Sequence, residues 1–156
     1  MFPSPVTSKS QPSGTRKRAA HSRASDTADA PRRDAPKRVL IVDDHGFYAN
    51  GLTSLINNEA DILVCGVCSR LGNVAAAIQE MEPDLVILDV SVAGENSVEL
   101  AKVLQMRRPG LKFMFLSSFP GGLVHWHAKD LKPNAVVEKT QDPVTILRAI
   151  RRAIRD

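Results

Sequence analysis

The chain has 156 residues, of which 43% are apolar, which is enough for one domain of ordinary size and a short additional segment. No apolar run reaches the roughly 18 to 20 residues that a membrane-spanning helix needs, and the polar N-terminus does not resemble a secretory signal peptide. The formal net charge of +4 is uneven, because residues 1–38 carry +6 and residues 39–156 carry −2. We therefore expect a cytoplasmic protein whose basic character belongs to its N-terminal segment.

Residues 1–37 are rich in Ser, Pro, Ala and Arg and poor in large apolar side chains. Such a segment buries too little apolar surface to offset its ordering entropy. We therefore predict a disordered basic tail at 1–37 and a folded domain at 38–156. Its basic clusters suit contact with nucleic acid or an acidic partner, but a solvated tail is the simpler interpretation, and we do not expect a nucleic-acid partner.

Five short apolar runs alternate with amphipathic stretches after the tail. The runs, at residues 39–42, 62–64, 85–88, 113–116 and 135–137, are apolar on both faces, which is typical of strands buried in a parallel sheet. After each run, apolar residues recur at the spacing of a helix. The fourth of these predicted helices, near 123–131, is the weaker one. The fifth runs over about 143–155, where Asp142 and Pro143 suit the N-cap and the first turn. This alternation predicts an α/β fold, a doubly wound parallel sheet with helices on both faces.

Cys65 and Cys68 have the C-x-x-C spacing of redox and zinc sites. Residues three apart in a strand point to opposite faces, so neither a disulfide nor a chelate follows from this spacing. We interpret both as thiols that act as small apolar side chains.

Polar side chains stand at the ends of the apolar runs. They are Asp43 and Asp44 after the first, Asp89 after the third, Ser117 at the end of the fourth and Lys139 after the fifth. Ligands bind at the carboxyl ends of strands in doubly wound sheets, and the flavodoxin-like strand order 2-1-3-4-5 brings these five residues to one pocket. Each has an ordinary explanation taken alone, such as helix capping by Asp43 and Asp44 or solvation of Lys139. Their joint placement indicates a site.

Clustered carboxylates repel one another and need a cation, and oxygen ligands beside an open position suit Mg²⁺. A carboxylate in such a place can attack phosphorus and form an aspartyl phosphate. Phosphoryl transfer depends mainly on positioning and charge neutralisation, which Lys139 and the Ser117 hydroxyl can supply.

The first strand with Asp43-Asp44-His45, the run that ends in Asp89, and Ser117 and Lys139 resemble the receiver domain of two-component response regulators. The start of the domain resembles the branch that usually ends in a LuxR-type helix-turn-helix, and the resemblance covers about residues 38–156. It implies a flavodoxin-like (βα)5 fold and phosphorylation of Asp89 by a histidine kinase or phosphotransfer protein.

The resemblance also assigns roles to the remaining residues of the site. Asp44 would bind Mg²⁺ directly and Asp43 through water, Asp89 would share the ion, and the Ser91 carbonyl would be a further ligand. Ser117 and Lys139 would contact the phosphoryl group. Homodimers are common in the family.

The sequence departs from the family pattern at three places. The usual Met-Pro after the phosphoacceptor is Val92-Ala93, the Gly that follows is Ser97, and the aromatic residue three positions before the Lys is Val136. We expect a stand-alone phosphoacceptor, not an enzyme, that acts by partner binding or phosphate shuttling. The alternative is a pseudo-receiver that binds partners without phosphorylation.

Overall fold

A computed structural model of the chain describes residues 35–119 and 131–156. The strands are β1 Lys37–Val42, β2 Ile62–Cys68, β3 Leu85–Asp89, β4 Ser91–Val92, β5 Glu95–Asn96, β6 Lys112–Ser117 and β7 Ala135–Glu138. The helices are α1 Gly46–Asn57, α2 Val74–Met81, α3 Ser97–Arg107 and α4 Pro143–Arg155, with a 3₁₀ turn, Leu71–Asn73, before α2.

The five longer strands form one parallel sheet in the order β2-β1-β3-β6-β7. The two short strands β4 and β5 pair with each other, as an antiparallel hairpin. When the hairpin strands are left out and the five longer strands are numbered in chain order, their order in the sheet is 2-1-3-4-5, as predicted. The predicted flavodoxin-like fold is therefore confirmed.

Apolar side chains cover both faces of the sheet, as the two-sided apolar runs predict. On one face, alternate residues of β1, β3 and β6 pack with α2 and α3, and on the other face the remaining alternate residues pack with α1 and α4. Every residue of β3 is buried, because this strand lies at the centre of the sheet. The carboxyl end of β3 therefore presents its last residue, Asp89, in the middle of one sheet edge.

A bulge in β2 corrects the prediction that the two cysteines lie on opposite faces. The pairing of β1 with β2 skips one residue, because Val39 pairs with Val64 and the next residue, Leu40, pairs with Gly66. The extra residue breaks the alternation of side chains. Cys65 and Cys68 therefore both pack on the α2 side of the sheet. Both thiols are free and burial raises their pKa, which agrees with their interpretation as apolar side chains.

The last helix, α4, begins as predicted. The Asp142 carboxylate accepts a hydrogen bond of 3.0 Å from the Thr145 backbone N–H, and Pro143 occupies the first turn. The fourth helix predicted near 123–131 lies almost wholly outside the described residues. Within 35–119 and 131–156, no helix is long and apolar enough to cross a bilayer.

Candidate phosphoacceptor site

The carboxyl ends of four neighbouring parallel strands meet at one edge of the sheet. Asp43 directly follows β1, Asp89 ends β3, Ser117 ends β6 and Lys139 directly follows β7. Because parallel strands end at the same edge, residues far apart in sequence become neighbours. The structure thus brings the sequence-predicted residues together.

The Lys139 ammonium joins two of the carboxylates. Its Nζ lies 2.6 Å from Asp43 Oδ2 and 2.7 Å from Asp89 Oδ2. All three side chains are at most 8% exposed. A charge buried this far needs a partner of opposite sign, so the Lys139 ammonium is held beside Asp89 and is not a solvated surface charge.

His45 forms the outer part of the same cluster. Its backbone N–H donates to Asp43 Oδ1 at 2.8 Å, and its Nδ1 lies 3.1 Å from that oxygen. The same Nδ1 lies 3.3 Å from Asp44 Oδ1 and 3.5 Å from Asp89 Oδ2. His45, and not Asp43 or Asp44, is the N-cap residue of α1, and it makes no side-chain cap bond. The alternative that the Asp pair only caps this helix is therefore wrong.

The acidic cluster fits a divalent cation. Ligand atoms of Asp43, Asp44, His45 and Asp89 all lie within 4.8 Å of one another. Among the described residues, these three carboxylates meet one ammonium, that of Lys139, which leaves an excess of negative charge that a cation would neutralise. The more exposed Asp44 opens to the adjoining cavity, and hard oxygen ligands with room for water suit Mg²⁺. Asp43, Asp44 and Asp89 are the side chains that could hold the ion.

A cavity of about 560 Å³ opens beside Asp89. Its lining includes Asp44, Ser91 and Ser117. The Ser91 N–H donates to Asp89 Oδ1 at 3.3 Å. The Ser117 hydroxyl donates to the Phe119 carbonyl at 3.0 Å and accepts from the Phe119 N–H at 3.1 Å, so it is engaged in a local turn. The Ser117 hydroxyl therefore lines the cavity and makes no hydrogen bond with Asp89.

The loop after Asp89 has a defined shape despite its departures from the family pattern. Ala93 (φ +52°) and Gly94 (φ +81°) form the two-residue turn of the β4–β5 hairpin, where positive φ at both positions is typical. Ser97, the first residue of α3, is fully buried, and its hydroxyl donates to the carbonyls of Asp89 and Val90. These hydrogen bonds hold the end of the loop against the backbone of Asp89 and Val90.

Val136 lies on β7 at the edge of the sheet and is 45% exposed. Its short aliphatic side chain cannot rotate as a ring between two positions. The structure therefore offers no aromatic side chain at the place where the family usually has one.

Sequence reasoning missed the roles of three residues near the site. His45 appeared only as part of a motif and Ser97 only as a departure from the family, and Tyr48 was given no role. The Tyr48 ring lies against the Lys139 ammonium, with Nζ 4.7 Å from the ring centroid. Burial and the negative charges of Asp43 and Asp89 raise the pKa of Tyr48 to about 12. The aromatic side chain of Tyr48, in the first turn of the helix after Asp43, could have indicated this contact from the sequence.

The family described as the response regulator receiver domain matches residues 39–151. Among curated proteins, the response regulator protein VraR of Staphylococcus aureus strain Mu3 is 28% identical over 118 residues. The aligned region covers 76% of this chain and 56% of VraR. The chain thus spans a little more than half the length of this relative.

Solved structures share the fold. A LuxR-family DNA-binding response regulator from Staphylococcus aureus superposes with a TM-score of 0.69 at 18% identity, covering 76% of this chain and 98% of that structure. A CheY-like receiver domain protein from Methanospirillum hungatei gives a TM-score of 0.68 at 21% identity, covering 77% and 94%. The family match covers well over half of the chain, and LuxR-family regulators are among the similar proteins. The chain therefore belongs to the response regulator receiver domain family of two-component signalling proteins.

Proposed function

We propose that the chain is a phosphorylatable receiver whose phosphoacceptor is Asp89. The observation that carries the proposal is the placement of Asp89, a nearly buried carboxylate that touches the Lys139 ammonium at 2.7 Å and opens to a cavity. A carboxylate held beside a fixed positive charge is suited to a step in which negative charge moves onto phosphoryl oxygens.

In the proposed reaction an oxygen of Asp89 forms a bond to the phosphorus of a phosphohistidine. The bond from phosphorus to the histidine nitrogen breaks, and its electron pair stays on the imidazole, which takes up a proton. The product is an acyl phosphate on Asp89. Lys139 already lies at the reacting carboxylate and can follow the charge to the transferred group.

Asp43, Asp44 and Asp89 would hold Mg²⁺, with the Ser91 carbonyl as a further ligand. When bound, the ion would supply positive charge that offsets the carboxylates and the incoming phosphoryl oxygens. Ser117 would contact the phosphoryl group. In this structure its hydroxyl is bonded to the backbone of Phe119, so that local turn would have to open.

The phosphodonor would be a histidine kinase or a phosphotransfer protein. The output would be partner binding, including pairing with a second copy, or transfer of the phosphoryl group onward. The protein would thus be a signalling phosphoacceptor and not an enzyme. We place it in the cytoplasm, where such donors are found.

The proposal is tested by intact-mass spectrometry after incubation with acetyl phosphate and Mg²⁺. Asp89→Asn and Asp44→Asn form a matched pair, because each neutralises one aspartate of the same cavity. We expect one added phosphoryl group on the wild type, none on Asp89→Asn, and slower addition with weaker dependence on Mg²⁺ for Asp44→Asn. Circular dichroism checks that all three proteins are folded.

Two results would contradict the proposal. Phosphoryl addition to Asp89→Asn would place the acceptor elsewhere. No addition to the folded wild type would favour the pseudo-receiver, and partner binding that persists unchanged in Asp89→Ala would then support that alternative.

A further inference from the structure

The ring of Tyr48 gives Lys139 a third neighbour beside the two carboxylates. The ammonium lies 4.7 Å from the ring centroid. A cation within about 6 Å of an aromatic face is attracted by the ring, and the attraction grows when both groups are shielded from water. Lys139 is 8% exposed and Tyr48 is partly buried, so this contact is shielded.

The Tyr48 hydroxyl does not explain why a tyrosine stands here. It is buried and has no hydrogen-bond partner among the described residues. An unpaired buried hydroxyl is unfavourable, and an aliphatic side chain would fill an apolar helix position without that disadvantage. The neighbouring inward residues of α1, Ala49, Leu52 and Ile56, are indeed aliphatic. The useful part of Tyr48 is therefore the face of its ring.

A lysine side chain is long and flexible, and its ammonium must be ordered before it can neutralise charge at a defined atom. The carboxylates of Asp43 and Asp89 attract the Lys139 ammonium but also change partners during the reaction, because Asp89 becomes the acyl phosphate. The Tyr48 ring lies on α1 and is not a reacting group. It is thus a contact that can hold the ammonium both before and after transfer.

We propose that Tyr48 is the positioning residue of Lys139, and that its ring keeps the ammonium beside Asp89 where the phosphoryl group arrives. The inference rests on the proposed phosphorylation of Asp89 and deepens it. Tyr48 and Lys139 also line a groove of about 460 Å³ between α1 and the start of α4. Because the ring contacts the ammonium, a change of charge around Lys139 on phosphorylation would alter the environment of the Tyr48 ring.

The first experiment follows the rate of phosphorylation by acetyl phosphate in four proteins by intact-mass spectrometry. Tyr48→Leu removes the ring, Tyr48→Phe keeps the ring and removes the hydroxyl, and Phe47→Leu removes a neighbouring ring. Phe47 is 97% exposed and lines the same groove, which makes it a matched control. We expect Tyr48→Leu to be slower by about three- to tenfold, as the loss of a cation–π contact implies. Tyr48→Phe and Phe47→Leu should stay within about twofold of the wild type.

The dependence on donor concentration separates positioning from binding. We expect the loss in Tyr48→Leu to fall on the maximal rate, with the half-saturating concentration of acetyl phosphate unchanged, because the ring acts on Lys139 and not on the donor.

A spectroscopic signature gives an independent readout, since Tyr48 is the only tyrosine of the chain. Ring-labelled tyrosine therefore yields the resonances of one residue. Beryllofluoride with Mg²⁺, a mimic of the phosphoryl group, should shift these resonances in the wild type. The shift should be much smaller in Lys139→Met.

The outcomes distinguish the two proposals. If the wild type gains no phosphoryl group, the proposed function and this inference both fail. If the wild type is phosphorylated and Tyr48→Leu matches its rate, only the inference fails. A Tyr48→Phe variant as slow as Tyr48→Leu would also overturn it, because the hydroxyl would then be the acting group. If Tyr48→Leu does not fold, the tyrosine resonances decide, and a shift that Lys139→Met leaves unchanged overturns the inference.

Discussion

At the scale of single residues, the chemistry of the site depends on one ammonium placed among three carboxylates. Lys139 contacts Asp43 and Asp89 directly, whereas Asp44 faces the cavity and has no lysine partner within residues 35–119 and 131–156. The excess negative charge has two measurable consequences, one for stability and one for the tyrosine beside the site.

Asp44→Asn is expected to stabilise the protein in the absence of divalent cations. Removing one of the mutually repelling carboxylates should raise the free energy of unfolding by about 1 kcal/mol, since like charges a few ångströms apart disfavour the folded state. Mg²⁺ should raise the melting temperature of the wild type by binding the folded form, and raise that of the variant much less. Thermal unfolding with EDTA and with Mg²⁺ measures both effects. A less stable variant with an unchanged response to Mg²⁺ would argue against a cation at Asp44.

Tyr48 is expected to titrate near 12 in the folded protein, because burial and the charges of Asp43 and Asp89 raise its pKa to about 12. A group whose pKa is higher in the folded state stabilises the fold below its unfolded pKa, which is about 10 for tyrosine. That contribution is lost as pH rises from about 10 to 12. Absorbance near the tyrosinate band, followed with EDTA present, reports this single tyrosine in folded and denatured protein. A folded-state midpoint equal to the denatured one would contradict the environment described for the ring.

At the scale of elements, strand and helix positions could be predicted well and the connections could not. The five long strands and α4 follow directly from apolar runs and from the capping residue Asp142. The bulge at Cys65 and the hairpin after Asp89 could not be predicted, because they depend on register between strands and on backbone angles rather than on apolar pattern. The contact of Tyr48 with Lys139 was equally inaccessible, since it joins residues 91 positions apart.

The hairpin turn stores a small amount of backbone strain at Ala93, whose φ is +52°. Residues with a Cβ are disfavoured there, and glycine is not. Ala93→Gly should therefore raise the free energy of unfolding by about 0.5 to 1 kcal/mol, and Gly94→Ala should lower it by a similar amount. Denaturant titration of the two variants measures both changes in the free energy of unfolding. A destabilised Ala93→Gly would show that the turn does not have this conformation.

An ion-pair cluster anchors α4 to the segment between α1 and β2. Arg151 donates to both oxygens of Asp61, at 2.8 and 2.7 Å, and to Glu59 at 2.6 Å. The hydrogen bond from Arg151 lowers the pKa of Asp61. Arg151→Met keeps the apolar stem of the side chain and removes its charge, and it should cost about 0.5 to 1 kcal/mol because the cluster is partly exposed.

The pH dependence of this cluster has a defined sign. A carboxyl group with a lowered folded pKa stabilises the protein above its unfolded pKa, and that contribution is lost as pH falls through the folded value. The difference in unfolding free energy between wild type and Arg151→Met should thus shrink as the solution becomes acidic. A difference that stays constant from neutral pH to acidic pH would show that the Asp61 carboxylate is not involved.

At the scale of the whole molecule, a doubly wound sheet brings together residues that are dispersed over almost a hundred positions of the sequence. Asp43, Asp89 and Lys139 come from three different strand ends, and β3 at the centre of the sheet places Asp89 between the other two. The convergence of these residues could be predicted from the sequence, because the strand order that brings them together could be predicted. The engagement of Ser117 with Phe119 was not, because it depends on a local turn. The basic tail at 1–37 stays a prediction, and residues 1–34 lie outside the described part of the chain.

The central claim is that Asp89, and no other group of the acidic cluster, accepts the phosphoryl group. The most direct measurement is site-resolved peptide mass spectrometry of the protein after brief reaction with acetyl phosphate and Mg²⁺, at a pH where acyl phosphates survive digestion. We predict one modified peptide, with the phosphoryl group on Asp89. A phosphoryl group on Asp43, Asp44 or His45, or an unmodified protein that is folded and binds Mg²⁺, would contradict the claim.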